Sequence, residues 1–147
     1  MIANERQYRI TNAAAREFEE ALAKLETVEA HRPPEMRRVM REAMESQLDE
    51  LREEIAEYDA LRSGKVGVLE LASLAELPDA LIRSRIAVGL TQKKLAERLG
   101  LKEQQVQRYE ATQYAGVSLD RIQAVAEALG VEIHERVILP TGNAAGR

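Results

Sequence analysis

The sequence predicts an all-α protein: an N-terminal antiparallel helical hairpin, then a compact cluster of short helices, with one candidate strand near the C-terminus. Three observations lead there. Apolar residues recur at steps of three and four through most of the chain, the spacing of one helix face. The 147 residues are 45% hydrophobic but only 3% aromatic, with no tryptophan, so the core is built from Leu, Ile, Val and Ala. In the second half, capping residues and glycines punctuate the pattern at short intervals, as between Thr91 and Gly100 and between Ser118 and Gly130.

The first helix is expected over 12–29, with Thr11 as N-cap and Ala15, Phe18, Leu22 and Leu25 on one face. "HRPP" at 31–34 breaks it, and Pro34 suits the first turn of a second helix running to about Arg62. The short break favours an antiparallel pair. Met44, Leu48, Leu51, Ile55 and Tyr58 form a heptad-like seam on the second helix. At ~1.5 Å per residue the second helix is ~42 Å long against ~27 Å for the first, so part of the seam is expected to overhang and serve as a dimer or partner surface.

A connector, 63–77, follows, in which Ser73 and Glu76 have the spacing of a capping box. Helices are expected over 78–88, 92–99, 103–109 and 119–129, within a domain spanning 78–130. In the remaining segment, 131–147, "VEIHERVILP" is rich in β-branched residues and reads as a strand that pairs with the N-terminal "QYRI" or with another chain. "TGNAAGR" reads as a frayed end.

Charge divides the chain. Residues 1–62 hold ten basic and fifteen acidic residues, net −5, whereas 77–130 hold eight and six, net +2. The two halves are expected to meet different partners. There is no cysteine, so disulfides and thiolate chemistry are excluded. No apolar run approaches the ~20 residues of a membrane span, and the N-terminus lacks a signal-peptide core. A cytoplasmic protein is expected, without membrane partner. His31 and His134 stand apart from other metal-ligating residues, and no nucleophile–base or paired-carboxylate arrangement stands out. Neither a metal, a cofactor nor an enzymatic role is expected. Arg37, Arg38 and Arg41 read as an ordinary charged face, because Glu42 and Glu45 lie four residues after Arg38 and Arg41.

The stretch "LTQKKLAERLGLKEQQVQRYE" carries the functional reading. Two helices of about eight residues joined by a glycine turn describe a helix-turn-helix. Leu95, Ala96 and Leu99 supply the inner face of the first, and Val106 and Tyr109 anchor the second. Lys102, Glu103, Gln104, Gln107 and Arg108 are left pointing outward. Such a surface suits base edges: glutamine pairs bidentately with adenine, and arginine with guanine.

With "GLTQKKLAERLG", "VQRYE" and "SLDRIQAVAEALGV", residues 78–130 resemble the lambda-repressor-like DNA-binding domain of the Xre family. The resemblance covers about a third of the chain and implies a four- to five-helix domain whose recognition helix is 103–109. It implies that Gln92 sits against a phosphate and braces the recognition helix, and that Lys102, Gln104 and Arg108 face bases. Lys93 and the loop from Thr112 through Gln113 and Tyr114 to Gly116 would lie near the DNA backbone. It further implies that Arg85 and Glu110 form a buried structural pair. The sequence departs from the family at three places. Lys102 stands where Ser or Thr usually caps, Ala111-Thr112 stands for Asn-Gly, and Glu103 replaces a base-reading glutamine.

The implied function is a DNA-binding transcriptional regulator, a repressor that binds an inverted-repeat operator as a homodimer. With its acidic extra segment the chain is also similar to HigA-like antitoxins, which repress their own operon and neutralise a basic toxin. A stand-alone phage-type repressor, or a protein-interaction module built on the acidic hairpin, is the alternative.

Overall fold

The computed structural model describes residues 1–141, so all of the expected frayed end beyond Thr141 lies outside the described residues. Six α-helices follow one another: α1 (Glu5–Glu26), α2 (Pro34–Arg62), α3 (Leu77–Ala87), α4 (Gln92–Leu99), α5 (Glu103–Ala111) and α6 (Leu119–Leu129).

α1 starts seven residues earlier than its apolar pattern predicts. Asn4, in extended conformation, accepts a hydrogen bond from the Gln7 amide, and the Gln7 side chain accepts one in return from the Ala3 amide at 2.8 Å. This reciprocal cap outcompetes Thr11, which lies inside the helix. "QYRI" is therefore helical and is no partner for a strand. The helix ends at Glu26, short of the expected 29. α2 opens with Pro34 in its first turn, as its sequence requires.

The earlier start brings α1 alongside the whole 44–58 seam, so that only the first two turns of α2 extend beyond it. α1 runs antiparallel to α2 along its full length. Arg52 meets Glu19 at 2.9 Å, Tyr8 donates to Asp59 at 2.8 Å and Arg62 meets Glu5 at 2.8 Å; Arg41 pairs with Glu26 near the tip. Exposed pairs of this kind each contribute little, about 0–1 kcal/mol, so the apolar seam holds the hairpin. The expectation of an open seam is corrected here. Leu48 and Tyr58 are 3% and 6% exposed within the single chain, and Met44, Leu51 and Ile55 are half-buried. Arg41 pairs across the hairpin rather than with Glu45, while Arg38 lies 3.7 Å from Glu42.

After α2 the chain runs without regular structure to one 3₁₀ turn, Leu74–Glu76. The capping box expected there does not form. Ser73 makes no side-chain cap, and the Glu76 carboxylate accepts instead from the Ala72 amide. α3 to α6 then close around Leu81, Leu95, Val106 and Val125, each 2% exposed or less. The base of the hairpin joins this core: Ile2, Tyr58 and Leu61 lie in the same buried cluster as Leu81 and Ile86. Arg83 on α3 also meets Glu57 on α2 at 2.6 Å.

The candidate strand is corrected as well. From Val131 to Thr141 the chain has no regular secondary structure, and among the described residues there is no strand. An isolated β-rich segment has no ladder to join once "QYRI" is helical. No helix among the described residues is long and apolar enough to cross a membrane.

Candidate nucleic-acid interface

α4 and α5 are set by local signals at every boundary. The Thr91 hydroxyl accepts from the Lys94 amide and starts α4. Gly100 ends it in the left-handed region, φ 66°, where a side chain would be strained. The Leu101 amide then reaches back to the Ala96 carbonyl at 2.8 Å, turning the chain sharply into α5. Leu95, Ala96 and Val106 are buried where the two helices cross.

Lys102 occupies the N-cap of α5, but its side chain cannot accept a hydrogen bond. Gln105 compensates from three residues on: its side-chain oxygen accepts from the Lys102 amide at 3.0 Å. One of the three glutamines crowded on this helix is thus a cap, a role the sequence reading missed. The signal was present as the glutamine at the third helical position.

The other two glutamines stay on the outer face. Lys102, Glu103, Gln104, Gln107 and Arg108 are all exposed on one side of α5. Gln107 lies 3.3 Å from the Glu103 carboxylate, a long contact that moderates that acid. Gln104 and Arg108 have no side-chain hydrogen bond among the described residues. Lys93, one position into α4, is exposed, whereas Lys94 turns to Glu97 at 3.3 Å.

Behind this face lies a buried ion pair. Arg85 of α3 grips Glu110 of α5 through Nε at 2.5 Å and Nη2 at 2.9 Å, and both side chains are 3% exposed. Gln92 supplies a third donor, its Nε2 lying 2.8 Å from Glu110 Oε2. Arg85 also donates to the Leu90 carbonyl at 2.8 Å and to the Ala3 carbonyl. Every buried side-chain N or O atom among the described residues finds a partner. Two carboxylate oxygens and three guanidinium nitrogens are thereby satisfied, the condition under which a buried pair is tolerated. The sequence did not reveal that Ala3 belongs to this network. The Gln92 side chain links α4 to α5, its buried amide committed inward to Glu110.

The loop after α5 departs from expectation at one residue. Thr112 and Gln113 are exposed, but Tyr114 is a core residue, 4% exposed, with its ring 5.7 Å from that of Tyr109. Burial, and next to it the Glu110 charge, push its phenol pKa upward. Its side chain is therefore not a groove contact, and the loop offers Thr112 and Gln113 instead. Gln113 and Tyr114 both have positive φ, 51° and 56°. Here the buried Tyr114 ring and the bond from its amide to the Tyr109 carbonyl at 2.7 Å impose the conformation.

A short helix with a buried inner face and an unpaired polar outer face, locked to its predecessor by a glycine turn, defines a DNA-binding helix-turn-helix. Comparison with known families agrees: residues 81–136 match the family Helix-turn-helix (HTH_3), the lambda-repressor-like, Xre-type domain. No curated protein and no solved structure matches the chain.

Proposed function

We propose that this protein is a sequence-specific transcriptional repressor that binds an inverted-repeat operator as a homodimer. The observation that carries this is the outer face of α5. Gln104 and Arg108 project from a helix whose inner face is fully packed and whose C-terminal end is fixed by Glu110. Gln104 and Arg108 read bases, Lys102 and Gln107 flank them, and Glu103 accepts from cytosine N4. Lys93, Thr112, Gln113 and the N-terminus of α4 at Gln92 meet phosphates.

One such helix covers too few base pairs for selectivity, whereas a two-fold dimer reads two half-sites ~34 Å apart or a multiple of that. With the α2 seam closed, the dimer contact falls to the C-terminal segment. Val137, Ile138 and Leu139 are 83%, 82% and 73% exposed there, next to the domain that must be paired. The test is footprinting on the DNA upstream of the protein's own gene. Protection of a palindromic site by the wild type, lost in the Gln104→Ala/Arg108→Ala double variant, is expected. Equal protection by both proteins contradicts the reading.

A second reading, an antitoxin that also holds a basic toxin, draws support from the hairpin tip. Val28, Met36 and Val39 are exposed there, beyond the covered seam and within the net-acidic half. Asp49, Glu50 and Glu53 add exposed negative charge along α2, with Glu54 and Glu57 partly covered beside them. Exposed apolar anchors together with an acidic stretch further along α2 suit a basic protein surface. Co-purification of a small basic protein with the full chain, abolished by Val28→Lys/Val39→Lys, is the expected result; a protein-interaction module that spares DNA would keep it without operator binding.

A further inference from the structure

The acidic hairpin is not uniformly acidic at its surface. Arg32, Arg38, Arg41 and Arg52 towards its middle and tip, and Arg62 at its base, each lie within ion-pair distance of a glutamate. Arg6 and Arg9, in the first two turns of α1, are exposed and pair with no carboxylate among the described residues. In this they resemble Lys93, Lys102 and Arg108 of the helix-turn-helix; on the hairpin, Arg16, Lys24 and Arg37 likewise meet no carboxylate among the described residues.

Those two turns are also held in place against the recognition helix. The Ala3 carbonyl, just ahead of α1, accepts from Arg85, and Arg85 in turn grips Glu110 at the end of α5. Between the two elements runs an open groove of about 1290 Å³. Arg6, Gln7 and Ile10 line one wall; Thr91, Glu103 and Gln107 line the other. Of the acidic residues lining the groove, Glu5 pairs with Arg62 at 2.8 Å and Glu110 with Arg85, whereas Asp79 and Glu103 meet only glutamine amides, each at 3.3 Å.

We infer that the first two turns of α1 are a second DNA-contacting element, in which Arg6 and Arg9 bind the phosphate backbone flanking the base pairs that α5 reads. This rests on the proposed DNA binding of the helix-turn-helix and extends its footprint onto the hairpin. Such contacts position the protein without reading sequence.

The experiment measures binding of the full chain to a random-sequence duplex of about 30 bp across a salt series, for wild type, Arg6→Gln/Arg9→Gln and Arg16→Gln. Each phosphate contact contributes about −0.9 to the slope of log K against log salt. The double variant is expected to flatten the slope by about 1.8. Arg16→Gln, at another exposed arginine two turns further up α1, is expected to leave it unchanged, which separates a contact from loss of net charge. Thermal unfolding of the double variant is expected to match wild type, since neither side chain is buried. If the wild type binds and the double variant keeps its slope, or binds more tightly because the hairpin base obstructs the duplex, the inference fails while the DNA-binding role stands. If the wild type shows no salt-dependent binding to this duplex or to upstream DNA, both fail.

Discussion

Arg85 and Glu110 are 25 residues apart in sequence and joined by two hydrogen bonds in the core, at 2.5 and 2.9 Å. The pair ties α3 to the C-terminal end of the recognition helix, so the pitch of that helix depends on it. Breaking one side strands a buried charge. Arg85→Ala is expected to destabilise the fold by about 3–5 kcal/mol, read by urea denaturation. Replacing both residues by apolar ones of similar volume is expected to cost less than the single change, because no charge is left unpaired. A loss below about 1 kcal/mol for Arg85→Ala would mean that the pair does not anchor α5.

The hairpin seam is internal. Leu48→Ala is expected to lower stability by about 2–4 kcal/mol, the range for a buried leucine, and to leave self-association unchanged. Sedimentation and denaturation on the same variant separate the two. A shift in oligomeric state at unchanged stability would return the seam to the surface.

The turn after α5 stores backbone strain at Gln113, whose exposed side chain makes only a 3.3 Å contact with Asp79. A non-glycine residue in the left-handed region costs about 1–2 kcal/mol. Gln113→Gly is therefore expected to raise stability by about 0.5–1 kcal/mol, after allowing for the greater freedom of glycine in the unfolded chain. If Gln113 holds a phosphate, the same variant weakens binding to all duplexes alike.

The proposed dimer contact predicts a specific loss. Val137→Lys with Leu139→Lys is expected to yield a monomer at micromolar concentration in sedimentation velocity and to abolish preference for the inverted repeat over a half-site. A variant that remains dimeric places the contact elsewhere.

What the sequence revealed follows how locally each feature is determined. α4, α6 and their caps at Thr91 and Ser118 emerged with the residues predicted, because a cap, an apolar face and a closing glycine all lie within a dozen positions. The start of α1 did not. Asn4 with Gln7 is as strong a cap signal as Thr11, and choosing between them needs to know that Tyr8 has a partner in Asp59, 51 residues away. That one error propagated: a shorter α1 made α2 overhang and left its seam looking free. The exposed face of α5 was legible from its helical period, but the inward turn of Tyr114 was not, since it depends on positive φ at two non-glycine residues. The unpaired state of Arg6 and Arg9 could not be read either, because it requires knowing where every neighbouring carboxylate points.

The central claim is that Gln104 and Arg108 on α5 read base pairs. Selection of binding sites from a randomised duplex pool, carried out in parallel with the wild type and with Arg108→Ala, tests it most directly. The wild type is expected to enrich an inverted repeat containing a guanine in each half-site. Arg108→Ala is expected to enrich the same repeat with that one position relaxed, at a cost of about 1–3 kcal/mol in affinity. Identical motifs from the two proteins, or no enriched motif from the wild type, would contradict the account.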